Sequence, residues 1–431
     1  MTSSKELLRI LRTEEGDSAL LSLYAPDGDK PALETARNRA VHVMESFAAQ
    51  FGDALSAALF SGPGRTEIGG NHTDHQHGHV LCGSVDLDTL ACAAPNGKNV
   101  VRMVSEGYPA AEVSLDSLPP REEEQNTSAA LVRGVAARLI ELGYPLSGFD
   151  AYAVSNVIAG AGLSSSASYE VLLGNIFNHF FCGGKLDPVT IAKVGQYAEN
   201  VYFGKPCGMM DQMGSSIGGA VAIDFNDPAD PVVDPVDYDF SKSGHALCIV
   251  DTGSCHADLT DDYADITREM GAVADHFGKQ FLRDVPEADF RAELPALRSE
   301  CGDRAVLRAM HFYADDQRAV LEAQALKDGD FDRFLALVNE SGLSSELLLQ
   351  NIWSPGAPRE QAVALALTVG RELLAGEGAI RVHGGGFAGT IQAFVPNDKL
   401  AVFKSGMEAV LGEGKCHVLR IRAQGGCVVM E

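Results

Sequence analysis

The chain has 431 residues, too many for one ordinary core and suited to two domains of roughly 200 residues each. Hydrophobic residues at 45% and charged residues at 22% exclude a disordered or fibrous chain. With 59 acidic against 34 basic residues the formal charge is −25, and so acidic a surface repels phosphate backbones and anionic lipid, so no nucleic-acid or membrane partner is expected.

A polyanionic ligand must therefore be held by local backbone amides, a few cations and a metal ion. The nine cysteines are scattered, odd in number and without a CxxC pair, the pattern of reduced thiols in a cytoplasmic protein. The N-terminus lacks an apolar signal core, and no run of about 18 apolar residues is long enough to span a membrane. A cytoplasmic location is expected, and nothing in the sequence speaks to oligomeric state.

In chain order, residues 1–55 read as polar, charged helices. Val80–Ala94 holds short β-type stretches, followed by a loop with Pro119, Pro120 and the acidic Glu122–Glu124. Ala129–Leu142 reads as a helix ending at Gly143, and Phe149–Val157 as a strand. After the glycine- and serine-rich Gly160–Ser168, Tyr169, Leu172, Leu173, Ile176, Phe177 and Phe180 recur as the apolar stripe of an amphipathic helix. Asp187-Pro188 is a cap followed by an N1 proline, and Ile191, Val194, Ala198 and Val201 place one buried stripe on the helix it opens. Ala220–Phe225 is a strand candidate, and the Asp- and Pro-rich Asn226–Pro235 marks a boundary. The division expected is an N-terminal extension over 1–55, one domain over 56–228 and another over 229–431. The last of these opens on a strand, Ala246–Asp251. Helices to about Leu374 follow, then a hairpin of Ala379–His383 and Gly389–Val395 around Gly384–Gly386.

Three segments carry chemistry. In Gly160–Ser168 a strand enters a loop of glycines and hydroxyls that opens a helix, so backbone N–H groups and a helix N-terminus face one point. Ser164, Ser165 and Ser166 can donate to phosphate or ligate Mg²⁺; a capped helix packed in a core fits the same string. Walker A spacing is absent. Gly64–Gly78 mixes Arg65, Glu67 and Asp74 with imidazoles in a glycine-bounded loop, a composition for gripping a polyhydroxylated ligand. Its rival reading is a metal site of His72, Asp74, His75, His77 and His79, which alternation in an extended loop would split. Gly204–Gln212, with Glu199 upstream, offers one carboxylate to orient an attacking hydroxyl and another to hold Mg²⁺.

Together these segments resemble the galactokinases of the GHMP kinase family. Gly64–Gly78 is similar to the signature Gly-Arg-Val-Asn-Leu-Ile-Gly-Glu-His-Thr-Asp-Tyr. Gly162–Ser168 resembles the GHMP phosphate loop, and Pro206–Gln212 the string Cys-Gly-Ile-Met-Asp-Gln. Arg381–Gly389 resembles Arg-Met-Thr-Gly-Gly-Gly-Phe-Gly-Gly. His256–Tyr263 and Arg308–Arg318 also have counterparts, so the resemblance spans about 56–396. It implies an α+β, two-domain GHMP kinase fold with the site in the cleft between domains. It also implies ATP as co-substrate, Mg²⁺, and transfer of a phosphoryl group to the anomeric hydroxyl of a sugar. By position, Asp211 and Arg65 are implied to be catalytic. Asn71, His72, Asp74, Gly208 and Tyr263 would bind the sugar, and Ser166 and Glu199 the metal. Gly160, Gly162, Leu163, Ser164, Ser165, Ser166, Ala167, Gly385 and Gly386 would bind the phosphates.

Departures cluster in the sugar set. The family Glu of Glu-His-Thr-Asp is Asn71, the Tyr after Asp is His75, the Ile before Gly70 is Gly69, and a family Ser-His appears as Ser341-Gly342. Galactose is the first substrate expected, with galacturonate, arabinose or N-acetylgalactosamine as alternatives; Asn71 is expected to relax or shift selectivity at C6. Homoserine and mevalonate kinases are disfavoured by Asn71–Asp74 and Cys207–Asp211. Non-catalytic sugar sensors of this family lack a Ser-Ala pair in the phosphate loop, which Ser166-Ala167 retains.

Overall fold

The computed structural model describes residues 2–54, 56–158, 160, 162–205, 207–254 and 259–431, with only the backbone at Thr260. The sequence expectations for His256 and Pro206 therefore fall outside the described residues.

Three helices, α1 (Ser4–Leu11), α2 (Glu14–Tyr24) and α3 (Lys30–Phe51), precede β1 (Ala58–Gly69), β2 (His79–Pro95), β3 (Val100–Ser105) and β4 (Ala111–Ser114). Next come α4 (Ser128–Glu141), β5 (Phe149–Ser155), α5 (Ser165–Phe181), α6 (Pro188–Ala198), α7 (Met210–Ile217), β6 (Ala220–Asp224) and β7 (Val232–Val236). The second half runs β8 (His245–Asp251), α8 (Thr260–His276), α9 (Glu287–Ala292), α10 (Leu294–Glu300), α11 (Asp303–Lys327), α12 (Phe331–Ser344) and α13 (Ala362–Leu374). It closes with β9 (Ala379–His383), β10 (Thr390–Pro396), α14 (Leu400–Leu411), β11 (Cys416–Leu419) and β12 (Cys427–Met430).

The fold is α+β, with two sheets among the described residues. The larger follows β12-β1-β2-β5-β3-β4, with β6 on β2 and β7 on β6; within it only β3 and β5 run parallel. The smaller is the antiparallel β11-β8-β10-β9. Where short stretches were expected over Val80–Ala94, one long strand runs: its first half pairs with β6 and its second with β5. The expected boundary at 228/229 falls in the turn between β6 and β7, which are themselves paired. β12 carries the C-terminus back to β1.

Two helical expectations change. Every residue from Ala167 to Phe177 is buried, so α5 is central rather than one-sided; β1 covers it on one side and α4, α6 and α7 on others. After α6, capped by Asp187 as expected, the chain enters a π-helical turn, Glu199–Phe203, closed by Gly204 at φ 87°. The extra residue per turn moves Val201 off the buried stripe, leaving it 45% exposed, and places Glu199 inside.

The N-terminal helices bury Leu7, Leu11, Leu20, Val43, Met44 and Phe47 against Leu59, Leu90 and Cys92 of β1 and β2. Buried Asp88 fastens them: it accepts from Tyr24 Oη at 2.6 Å, from Arg422 Nη1 at 3.2 Å, and from Arg39 and Ser61. Burial raises its pKa, but Arg39 and Arg422 more than offset this and hold it below the ordinary value. Such stabilisation is complete above the unfolded pKa and is lost as pH falls through the folded one. Asp88→Asn is expected to cost about 3 kcal/mol in denaturant unfolding and to flatten the acid limb of the stability profile. An unchanged midpoint would show that apolar packing alone holds the extension.

Candidate active site

Pairing between β1 and β2 slips between Pro63 and Arg65 and again between Glu67 and Gly69. Such bulges re-aim side chains. Beside the first, the Arg65 guanidinium meets Asp211 in the first turn of α7, with Nε and Nη2 donating to Oδ1 at 2.8 and 2.6 Å. Its Nη1 donates to the Gly162 carbonyl. Ser164, at the N-cap of α5 with φ 53°, donates to Asp211 Oδ2 at 2.5 Å. Three motif segments thus meet at one carboxylate. Burial would raise the Asp211 pKa, but the Arg65 charge and the hydrogen bonds from Ser164 and Arg65 bring it below the ordinary value. Burial opposes the Arg65 charge too, yet Asp211 raises its pKa.

Arg65 and Glu67 were expected in a loop; they lie in β1 instead. The loop begins at Gly70 and holds the short turn Asp74–Gln76.

At the N-terminus of α5, Ser166 Oγ donates to Glu199 Oε1 at 2.9 Å. Glu199 is fully buried and also accepts from Lys205 Nζ at 3.1 Å, Gln212 Nε2 at 2.8 Å and Cys207 Sγ at 3.0 Å. A hydroxyl and a carboxylate at this spacing suit a small hard cation, and the helix N-terminus suits the phosphate oxygens that would complete its ligands with water. Lys205 and Gln212 lie in the segment Gly204–Gln212 without a role assigned from sequence, and Glu170 escaped the sequence reading. Gln212 Nε2 also donates to Glu170 Oε2 at 2.9 Å. Glu170 follows Ser166 by four residues on α5, a spacing that puts both on one face. Burial first, then the neighbouring Glu199, pushes its pKa well above the usual range.

The expected sugar set gathers around the glycine hairpin. His72 Nε2 lies 2.9 Å from the Gly385 carbonyl, and Tyr263 Oη donates to the Gly386 carbonyl at 2.9 Å. Burial, then His75, lowers the His72 pKa, which keeps the ring neutral. A Cβ on Gly385 would come 2.5 Å from the Tyr263 ring, and one on Gly208 would come 2.4 Å from Asp74 Oδ2. Both close approaches require glycine. The hairpin also meets the phosphate loop, because a Cβ on Gly162 would lie 3.0 Å from His383 Nδ1. His383 in turn lies 3.0 Å from Thr66 Oγ1.

Asn71 differs from the expectation. Its amide donates to Glu67 Oε1 at 2.9 Å and to the Gly384 carbonyl at 2.8 Å. Its oxygen accepts from Asn351 Nδ2 at 2.8 Å and Ser345 Oγ at 3.2 Å. The amide has two hydrogens and two lone pairs, so none remains for a C6 substituent. Residue 71 holds the hairpin instead. The imidazoles also disperse: His77 stacks on Phe281, and His79 sits between Asp316 and Asp224. Among the described residues no group of three His, Cys, Asp or Glu side chains is placed to hold a metal ion.

A loop of glycines and hydroxyls opening a helix, a partly buried Arg–Asp pair and a glycine hairpin, set between two sheets, are the arrangement of a GHMP small-molecule kinase. The model of the GHMP kinases N terminal domain matches residues 130–219, and the galactokinase galactose-binding signature matches residues 45–95. Galactokinase from Bacillus subtilis (strain 168) is 32% identical over 310 residues, covering 69% of this chain and 76% of that one. The chain belongs to the galactokinase family, phosphotransferases that use ATP and a hydroxyl acceptor. Among solved structures, Lactococcus lactis galactokinase complexed with galactose has a TM-score of 0.74 at 24% identity, covering 89% of this chain and 97% of that one. Mevalonate kinase from Methanococcus jannaschii has a TM-score of 0.59 at 15% identity, covering 85% and 98%. No helix among the described residues is long and apolar enough to cross a membrane.

Proposed function

We propose that the protein transfers the γ-phosphoryl group of ATP to the anomeric hydroxyl of galactose, giving galactose 1-phosphate and ADP. The observation that carries this is the partly buried Arg65–Asp211 pair at 2.6 Å, hydrogen-bonded to the head of the phosphate loop through Ser164. Asp211, ionised, accepts the hydrogen of the anomeric hydroxyl and aims its oxygen at the γ-phosphorus. As the new P–O bond forms, the bond to the β-phosphate bridging oxygen breaks, and the hydroxyl proton leaves to water. Arg65 neutralises the charge that collects on the transferring oxygens, and backbone N–H groups over 162–167 with Gly385 and Gly386 cradle the phosphates. Mg²⁺, held by Ser166 and Glu199, would neutralise phosphate charge. His72, Asp74, Gly208 and Tyr263 form the sugar side.

An intact Ser166-Ala167 pair favours an enzyme over a sensor. The division into 1–55, 56–228 and 229–431 stands as a proposal, with strands 232–236 and 427–430 completing the first sheet. Cytoplasmic operation is proposed as well, since the eight cysteines in the described residues are free.

Incubation with Mg·ATP and galactose, galacturonate, arabinose or N-acetylgalactosamine, read by mass spectrometry, should give galactose 1-phosphate as the dominant product. Background ATP hydrolysis with every sugar would overturn the reading.

A further inference from the structure

The π-helical turn that buries Glu199 also fixes a cation beside it. Lys205 donates its backbone N–H to the Glu199 carbonyl at 3.2 Å and its ammonium to Glu199 Oε1 at 3.1 Å. That carboxylate oxygen is the one that receives Ser166 Oγ, so ammonium, hydroxyl and the N-terminus of α5 surround one point. Glu199 does not depend on the lysine for a partner, since Ser166, Gln212 and Cys207 already donate to it. A counter-ion for a buried acid is ordinarily buried with it. The Lys205 side chain is instead 56% exposed, and among the described residues its ammonium has one hydrogen-bond partner. Two of its three N–H groups remain unspent. Its field reaches Asp211, lowering that carboxyl's pKa after the larger effects of burial, Arg65 and Ser164. Arg65, the other cation here, spends three of its five N–H groups on Asp211 and Gly162.

We propose that Lys205 is a second catalytic cation of this centre, whose ammonium contacts the phosphoryl group in transfer from ATP while Arg65 holds Asp211. The assignment rests on the kinase reading above. A compact ammonium on a flexible stem suits an oxygen that moves during transfer, whereas the Arg65 fork is fixed by its carboxylate. Lys205 stays charged throughout and exchanges no proton; it offsets the charge spread over the equatorial oxygens.

Lys205→Met and Lys205→Arg in the full chain test this. The methionine variant should keep the wild-type melting temperature and sugar KM, lose about 10- to 100-fold in kcat, and bind ATP without metal about 10-fold more weakly by calorimetry. Arginine should restore most of both losses. A methionine variant with kcat and metal-free ATP affinity within about twofold of wild type would reduce Lys205 to a counter-ion of Glu199 and overturn the proposal. Weaker ATP binding with unchanged kcat would overturn it equally, since the contact would then belong to the ground state. If the wild type binds ATP but phosphorylates no sugar offered, the functional reading fails, and the metal-free affinities still decide whether Lys205 meets phosphate. If the wild type binds no ATP, both fall.

Discussion

Asp211→Asn is expected to lower turnover by about 10²-fold or more while leaving the fold and nucleotide affinity near wild type. The amide keeps the size and can still accept from Arg65, whose Nε and Nη2 lie 2.8 and 2.6 Å from Oδ1. What goes is the negative charge that orients the attacking hydroxyl and balances the guanidinium. The same pair fixes the kind of catalysis. A general base works best with a pKa near the operating pH. Here burial raises the Asp211 pKa, and Arg65 and Ser164 more than reverse this, leaving it below the ordinary carboxylate value. Such a group is a poor proton store and a good oriented anion. Turnover should therefore show no ionisation of Asp211 above about pH 5. Near wild-type kcat in the asparagine variant would move the role to another residue, and a rate that climbs through neutral pH, absent in the variant, would make Asp211 a base.

The residues around Asp211 were legible because each sits in a short string whose spacing survives folding: a glycine that admits a close backbone, then the polar group it presents. The helices of residues 1–55 and the hairpin around Gly384–Gly386 were legible for a similar reason, through local turn chemistry and periodicity. Less legible was anything decided by what packs against it. Arg65 and Glu67 read as loop because glycine and charge are poor strand formers, yet pairing with Ser84 and Cys82 of β2 holds them in β1. Val201 obeys an α-helical period, and the π-helical turn breaks that period without a glycine or proline at Glu199 to announce it. Cys427–Met430, four residues long, becomes a strand only because the edge of β1 is waiting for it. Asn71 reads as facing the sugar, whereas in the structure its amide is engaged by Ser345 and Asn351, more than 270 residues away. No local pattern could reveal them.

That network makes Asn71→Glu the other large effect expected, on the fold rather than on the ratio of galactose to galacturonate. The family string carries Asn, Ile and Glu where this chain has Glu67, Gly69 and Asn71. Carboxylate and amide have exchanged places, and they bond each other at 2.9 Å. Glu322 fills the space the isoleucine would need: a Cβ on Gly69 would come 1.7 Å from its Oε2. Burial pushes the Glu67 pKa up to about 7, against the pull of Arg381, which donates to Oε1 at 2.9 Å. Among the described residues, buried Glu322 finds no hydrogen-bond partner for either oxygen, and burial raises its pKa well above the usual range. A further carboxylate at 71 would abut that of Glu67 with no added cation. It would also set an acceptor against the Gly384 carbonyl, where the amide now donates at 2.8 Å. Losing two buried hydrogen bonds and adding an unpaired charge should cost about 5 kcal/mol, measured by denaturant unfolding. The exchanged pair, Glu67→Asn with Asn71→Glu, restores one carboxylate and one amide in contact. It should recover at least about 2 kcal/mol of that loss, a coupling well above the additivity limit for neighbours. If the double variant is no more stable than Asn71→Glu alone, the two positions are not a reciprocal pair. The stability of the single variant would then have to be traced to Gly384, Ser345 and Asn351 instead.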